Sequence, residues 1–177
     1  MYGKARVHDY AQVSGDAQVY GNAQMYDNAR IFGSAQVYGN AQIYGNACVY
    51  GNAQVYGNAR VYGKAWVSDS AWVSSDAEVY GSAEVSGNAW ISSDAHWCVM
   101  TGFGSGFRST TIFREKDGTL RVQCGYWGGT LEEFEKRVND VHGDNRYGRE
   151  YRAMIEMIKI RFEGRTEPVN DEEEVIE

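Results

Sequence analysis

The chain has 177 residues, a formal net charge of −7 and a sequence pI near 5.0. This balance argues against a generic nucleic-acid-binding protein, which needs a basic surface. Most of the acidity lies in residues 163–177, which hold seven Asp or Glu side chains against one Arg. The remainder of the chain is about neutral, so the tail contributes most of the negative charge.

Cysteine usage and hydropathy indicate a cellular compartment. The three cysteines, Cys48, Cys98 and Cys124, are an odd number without a CxxC pair, which predicts reduced thiols. The sequence shows no signal peptide and no apolar run that approaches a membrane span. We therefore expect a cytoplasmic protein that makes no membrane contact.

A six-residue repeat runs without insertion from Ala5 to Asp94. In all fifteen copies the first position is Ala and the third is Val, Ile or Met, and in ten copies the fifth position is Gly. Two apolar positions spaced two apart indicate a short strand with one buried face. The Gly-Asn, Gly-Asp or Gly-Ser that follows is typical of a corner with positive φ.

Such short strands cannot bury their apolar faces alone, so the repeats must stack into coils. Three hexads close a triangular coil of eighteen residues, and the ninety repeat residues therefore predict five coils. Val and Ala fill the narrow interior in this arrangement. Any binding function is expected outside the coils or at their ends.

The repeat resembles the hexapeptide-repeat left-handed parallel β-helix superfamily, which places aliphatic and small residues four positions apart, as in Ile43 with Ala47. The resemblance implies left-handed coils. Many members are acyltransferases with a catalytic His near a subunit boundary and often a loop that interrupts the helix. Here no interruption occurs, and His8 and His96 lie at the two ends without an obvious acid partner. Catalysis by the solenoid is therefore not expected.

Aromatic side chains are expected on the outside of the coils. Stacking predicts one ladder that continues from His8, formed by Tyr26, Tyr44, Tyr62 and Tyr80, and a second formed by Tyr20, Tyr38 and Tyr56. These rings either stiffen the sheets by stacking between coils or present an aromatic contact surface to a partner. Both interpretations stay open.

Three tryptophans are expected outside the last two coils. Trp72 and Trp90 replace Gln in one column, and Trp66 lies on the adjacent face. Either the C-terminal part of the chain folds back over them or they form a docking site for a partner.

Residues 1–97 are thus predicted to be the β-helix, with Trp97 as a lid, and residues 98–163 a ββαα module. The segments "TTIFRE" and "TLRVQCGYW" predict a hairpin, and Thr130 with Glu133 is a capping box that opens a helix through about Val141. Apolar spacing predicts a second helix over residues 147–162. The acidic segment 164–177 is expected to be frayed.

Two short segments of this module attract functional interpretations. The "GFGSGF" stretch, residues 102–107, lacks the Lys of a phosphate loop and is predicted to be a flexible connection, although the neighbouring Arg108, Thr110 and Thr111 could hold a small anion. The "HGDNR" stretch, residues 142–146, is either a helix cap or a partner-binding site. Its candidate partner-binding residues, with one from the following helix, are His142, Asp144, Asn145, Arg146 and Arg149.

No catalytic residue, metal site or cofactor is predicted for the module. A catalytic triad at "HGDNR" would require Cys98 or Cys124 to come close in space, and Cys124 is more simply explained as a small apolar residue of a strand. His96 with Cys98 supplies only two metal ligands.

The module is similar to a C-terminal domain found on hexapeptide-repeat proteins of bacteriophages and gut bacterial mobile elements. This resemblance implies a phage or prophage accessory protein that works in the host cytoplasm.

The leading hypothesis is a non-catalytic binding protein, such as an anti-CRISPR inhibitor of host defence, whose partner is a host protein or complex. The alternatives are an acyltransferase-like enzyme and a structural protein that assembles through its coil ends. A homo-oligomer joined end to end or through Tyr faces is also expected, and direct nucleic-acid binding is not.

Overall fold

The computed structural model describes residues 3–104 and 106–164, and its N-terminal part is a solenoid of fifteen two-residue strands. The first sheet contains β1 (Arg6–Val7), β4 (Gln24–Met25), β7 (Gln42–Ile43), β10 (Arg60–Val61) and β13 (Glu78–Val79). The second contains β2 (Gln12–Val13), β5 (Arg30–Ile31), β8 (Cys48–Val49), β11 (Trp66–Val67) and β14 (Glu84–Val85). The third contains β3 (Gln18–Val19), β6 (Gln36–Val37), β9 (Gln54–Val55), β12 (Trp72–Val73) and β15 (Trp90–Ile91).

Each strand pairs in parallel with the strand eighteen residues away, so that Val61 lies between Ile43 and Val79. The predicted solenoid of five eighteen-residue coils is therefore confirmed. The left hand that the resemblance implies stays a prediction.

Alanine and aliphatic side chains fill the interior of the coils. From Ala23 to Ile91, the first and third positions of every repeat are at most 1% exposed. Burying one Val or Ile side chain stabilises a fold by about 1.5–3 kcal/mol. The predicted Val and Ala interior is confirmed for this part of the solenoid.

The corners need glycine for two reasons. Gly45 has φ of +71°, in the left-handed region that favours glycine. A Cβ atom there would also lie 3.1 Å from the backbone N of Gly63 in the next coil. The corner residues therefore stack as closely as the strands do.

The aromatic ladders stack as predicted. In the ladder from His8 to Tyr80 the ring centroids are 4.9–5.5 Å apart, and neighbouring planes lie within 19° of parallel. Tyrosine hydroxyls also bond to the following coil: Tyr38 donates to Gln54 Oε1 (3.2 Å) and Tyr62 to Glu78 Oε2 (2.9 Å). The rings thus link successive coils on the outside, as the core residues do inside.

The C-terminal module is a four-stranded antiparallel sheet covered by two helices. Its elements are β16 (Trp97–Phe103), β17 (Arg108–Arg114), β18 (Leu120–Cys124), β19 (Trp127–Thr130), α1 (Leu131–His142) and α2 (Arg146–Phe162). The predicted capping box at Thr130 and Glu133 is present, and the predicted hairpin and both helices are confirmed. The sheet gains two strands that the sequence did not reveal. In β16 the pairing register shifts between Met100 and Phe103, and β19 contains two glycines, so neither shows a clear alternating pattern.

Strand β17 serves two cores because its side chains alternate between its faces. Phe113 packs into the solenoid core together with Trp97, as the predicted lid requires. The neighbouring Ile112 packs instead with Val122 and the apolar faces of α1 and α2. The strand therefore joins the solenoid to the helices.

Side chains of the module, together with Asp94 at the end of the repeat, satisfy backbone groups of the last coil. Elsewhere the N–H groups of one coil donate to carbonyls of the next, as Trp66 N–H does to the Ala83 carbonyl. At the last coil, side chains take over as acceptors. Glu78 N–H donates to Asp94 Oδ1 (2.8 Å), Glu84 N–H to Thr111 Oγ1 (2.9 Å), and Asn88 N–H to Glu115 Oε1 (3.3 Å).

Neither helix of the described chain combines the length and hydrophobicity that a membrane-spanning segment needs. The predicted acidic tail lies, from residue 165 onward, outside the described residues.

The corner packing can be tested with two substitutions in one column. Gly45→Ala introduces both a strained φ and a Cβ against Gly63, whereas Gly81, also at positive φ, has only Val99 Cγ1 near its Cβ position, at 3.9 Å. We expect Gly81→Ala to lower the free energy of unfolding by about 1 kcal/mol. Gly45→Ala should cost at least about 1 kcal/mol more, because the next coil must shift. Equal losses in urea denaturation would show that the coils are not in such close contact.

The ladders predict a loss of stability at alkaline pH. Burial raises the pKa of Tyr38 to about 12, and burial with the hydrogen bond to Glu78 raises the pKa of Tyr62 to about 12. Unfolded chains ionise tyrosine near pH 10. The folded state therefore holds more protons between about pH 10 and 12, and stability falls as the pH rises through this range.

Tyr38→Phe should flatten this decline, because it removes one such phenol. It should also cost about 1 kcal/mol at neutral pH through the lost hydrogen bond to Gln54. Tyr10 is 79% exposed, and Tyr10→Phe is the matched control that should leave the curve unchanged. Thermal melts followed by circular dichroism from about pH 8 to 12 measure both effects. The interpretation is wrong if the two variants show the same pH dependence.

Candidate functional site

The C-terminal module covers only part of the predicted tryptophan surface. Lys116, in the turn between β17 and β18, places its Nζ 3.2 Å from the centroid of the Trp72 ring. Trp90 is half-buried, whereas Trp66 is 51% exposed. The predicted return of the module onto the solenoid is therefore confirmed at Trp72 and does not extend to Trp66.

The tyrosine ladder from Tyr26 to Tyr80 is half-buried by its own stacking, with Tyr80 the most exposed at 44%. Tyr80 also meets the edge of Trp97, with the ring centroids 5.2 Å apart. Stacking accounts for the regular spacing of these rings along the solenoid, and their use as a partner surface stays a prediction.

The three histidines lie in separate places. His8 Nδ1 lies 2.9 Å from the Asp9 carboxylate on an exposed corner of the first coil, so the expectation that His8 lacks an acid partner was wrong. Asp9 directly follows His8 in the sequence and adopts a left-handed φ of +57°. His96 is buried beside Ser92 after the last coil, and His142 lies in the C-terminal module.

The "HGDNR" cluster does not converge on one point. Asn145 caps α2 by accepting a hydrogen bond from Gly148 N–H (3.0 Å), which confirms the helix-cap interpretation. Asp144 pairs with Arg152 (3.0 Å) and Arg146 pairs with Glu150 (3.0 Å). Arg149 is exposed. His142 lines a cavity of the module, and none of the other four lines that cavity.

The anion site suggested for Arg108 and the threonines after it is also divided. Thr110 and Thr111 are at most 1% exposed. Thr110 donates to Cys124 Sγ (3.3 Å), and Thr111 accepts from Glu84 N–H. Neither threonine is available to a partner at the surface. Arg108, the first residue of β17, is exposed and lines the same cavity as His142.

This cavity, of about 450 Å³, lies between the sheet and the two helices of the module. Its walls come from turns at one end of the sheet and from the facing sides of α1 and α2. The lining residues are Gly106, Arg108, Cys124, Tyr126, Trp127, Phe134, Arg137, Val138, Val141, His142 and Tyr151.

Aromatic rings form a connected floor for the cavity. The Trp127 and Phe134 rings are 5.5 Å apart, those of Phe134 and Tyr151 5.6 Å, and those of Tyr151 and His142 5.6 Å. Burial, followed by the neighbouring Cys124, raises the pKa of Tyr151 to about 12, against the opposing effect of Arg108. The phenol therefore stays protonated at neutral pH and can donate a hydrogen bond.

Most of these residues were missed by the sequence reasoning. Phe134 and Tyr151 have the helical spacing of core residues, and nothing in the sequence distinguishes them from other core positions. Arg137 and Tyr126 belong to no sequence motif that would indicate a binding site. Pairing of β17 with β18 brings Tyr126 to the same end of the sheet as Arg108, and α1 carries both Arg137 and His142. The packing of α1 against the sheet then brings these residues to one cavity. Among the described residues, no three His, Cys, Asp or Glu side chains gather as a metal site would require.

Comparison with known proteins agrees with the solenoid. Five segments match a family model described as the YdcK beta solenoid repeat, at residues 11–26, 23–39, 35–51, 41–55 and 53–69. Searches of curated proteins and of solved structures gave no significant match. The family match and the five parallel coils together identify the N-terminal part of this chain as a repeat β-solenoid.

Proposed function

We propose that this chain is a non-catalytic binding protein in which the solenoid is a rigid rod and the C-terminal module is the recognition head. The partner is a host protein or protein complex. The proposal rests on one observation, the exposed aromatic and cationic surface at one end of the head. This tip surface is formed by Phe107, Arg108, Tyr126, Arg137 and Val141.

The tip surface is built by two adjacent turns. Thr110 of β17 pairs with Cys124 of β18 in an antiparallel manner. The turn before β17, which contains Phe107, and the turn after β18, which contains Tyr126, therefore lie at the same end of the sheet. Phe107 is 77% exposed and Tyr126 is 103% exposed. Val141, on the last turn of α1, is 59% exposed and lines the cavity together with Tyr126.

Aromatic residues and arginine are the side chains most enriched at protein interfaces. Single exposed apolar residues are normal, but several at one end of a domain are a feature of binding surfaces. Phe107 also adopts a positive φ of 47°, which is unusual for a bulky residue and unfavourable without compensation. A contact with a partner would explain why an aromatic side chain is kept there.

The biological role that we propose is that of a phage or prophage accessory protein in the host cytoplasm. The resemblance of residues 98–163 to modules of phage hexapeptide-repeat proteins supports this role. Inhibition of a host defence system, as by an anti-CRISPR protein, is its most specific form. Co-expression with an active CRISPR system and scoring of phage plaques tests that form directly.

One observation favours a second candidate function. The His8–Asp9 contact supplies the carboxylate that a catalytic histidine uses for orientation. In an acyltransferase-like enzyme, acyl-CoA turnover by the purified protein should be lost in His8→Ala. Absence of turnover in the unmodified chain would remove this candidate.

The recognition head can be tested by changing its exposed aromatics. Phe107→Asn with Tyr126→Ser removes both rings, and Asn tolerates the positive φ at position 107. We expect the double variant to bind a partner captured from host lysate at least about tenfold more weakly, since two interface aromatics are lost. Pull-down followed by titration of the identified partner measures the change.

Trp66→Ser is the matched control, because Trp66 is an exposed aromatic on the solenoid and is not part of the tip surface. It should leave partner binding unchanged. Loss of binding in Trp66→Ser and not in the double variant would place the partner on the solenoid and contradict the recognition head. Unchanged melting temperatures would exclude misfolding as the cause.

A further inference from the structure

The cavity of the C-terminal module concentrates positive charge in an acidic protein. Arg108 and Arg137 both line it, and no Asp or Glu is among its described lining residues. Neither arginine forms an ion pair with a described residue, although the chain carries a net charge of −7. By contrast, the nearby Arg146 and Arg152 are each paired with a carboxylate at 3.0 Å.

Packing, rather than ion pairing, holds the two guanidinium groups. The Arg108 side chain packs closely against two glycines. A Cβ atom at Gly106 would lie 3.0 Å from its Nε, and a Cβ atom at Gly125 would lie 3.0 Å from its Nη1. Arg137 lies over the Trp127 ring, with Cζ 5.8 Å from the ring centroid. No described residue accepts a hydrogen bond from either guanidinium group, so both have N–H donors for an oxyanion, which arginine binds in a bidentate manner.

The rest of the cavity suits a flat apolar group. Trp127, Phe134 and Tyr151 line it with aromatic rings, and Trp127 is the most exposed of the three. The volume of about 450 Å³ falls within the range of small-molecule sites. An inorganic anion alone would leave most of this space and the aromatic surface unused.

From this combination we infer that the cavity binds a small organic anion in which a phosphate or carboxylate is attached to a planar ring. Arg108 and Arg137 bind the oxyanion, and the rings of Trp127 and Phe134 contact the planar group. This ligand site shares Arg108 and Arg137 with the tip surface, but its test needs only the isolated chain, so its failure is distinguishable from failure of the proposed partner binding.

Titration calorimetry with phenyl phosphate tests the site on the purified full chain. Benzoate distinguishes a carboxylate from a phosphate, and inorganic phosphate tests the anion without a ring. We expect one site per chain for phenyl phosphate or benzoate and at least about tenfold weaker binding of inorganic phosphate, which lacks the ring contacts.

Arg108→Gln and Arg137→Gln should each weaken the better probe about tenfold or more, because each removes a charge-assisted hydrogen bond. Arg149→Gln is the matched control, since Arg149 is exposed and does not line the cavity. Equal affinity in all three variants would overturn the inference, as would inorganic phosphate binding as tightly as phenyl phosphate. If the arginine variants lose a partner protein while no probe binds, the cavity receives a partner side chain and the small-ligand site is wrong.

Discussion

The structure depends on the stacking of one coil on the next at a constant offset of eighteen residues. Each strand contributes only two residues, so its backbone hydrogen bonds and its buried side chain have value only when the neighbouring coil supplies their partners. The same offset brings glycine onto glycine at the corners and ring onto ring on the outside. A substitution in an inner coil therefore alters contacts with the coils on both sides.

A stack of this kind must end, and the C-terminal end determines where the module sits. The last coil has backbone N–H groups with no further coil above them, and side chains of Asp94, Thr111 and Glu115 accept their hydrogen bonds. Alternate residues of β17 therefore face the solenoid, and those between them face the helices. The head is consequently joined to the rod through β17 and through Trp97 of β16, and β17 also carries Arg108 toward the cavity.

Function is expected in the head because the solenoid interior is occupied by its own side chains. The cations of the head divide into two groups. Some, including Arg146 and Arg152, are neutralised by nearby carboxylates, whereas Arg108 and Arg137 remain without a described acid partner and face the same aromatic cavity. Their charge is available to a ligand, and the exposed rings of Phe107 and Tyr126 beside them extend the surface that a partner would contact.

The sequence by itself determined the solenoid, its coil length, its filled interior, the ring ladders and both helices, because each follows from a local period or a local cap such as Thr130 with Glu133. It did not reveal β16, β19 or the Asp9 contact of His8, since shifted register, glycines and left-handed backbone leave no periodic pattern. The cavity was decided only by tertiary structure. Arg108, Arg137 and Tyr151 are far apart in the chain, and the packing of α1 and α2 on the sheet is what brings them together.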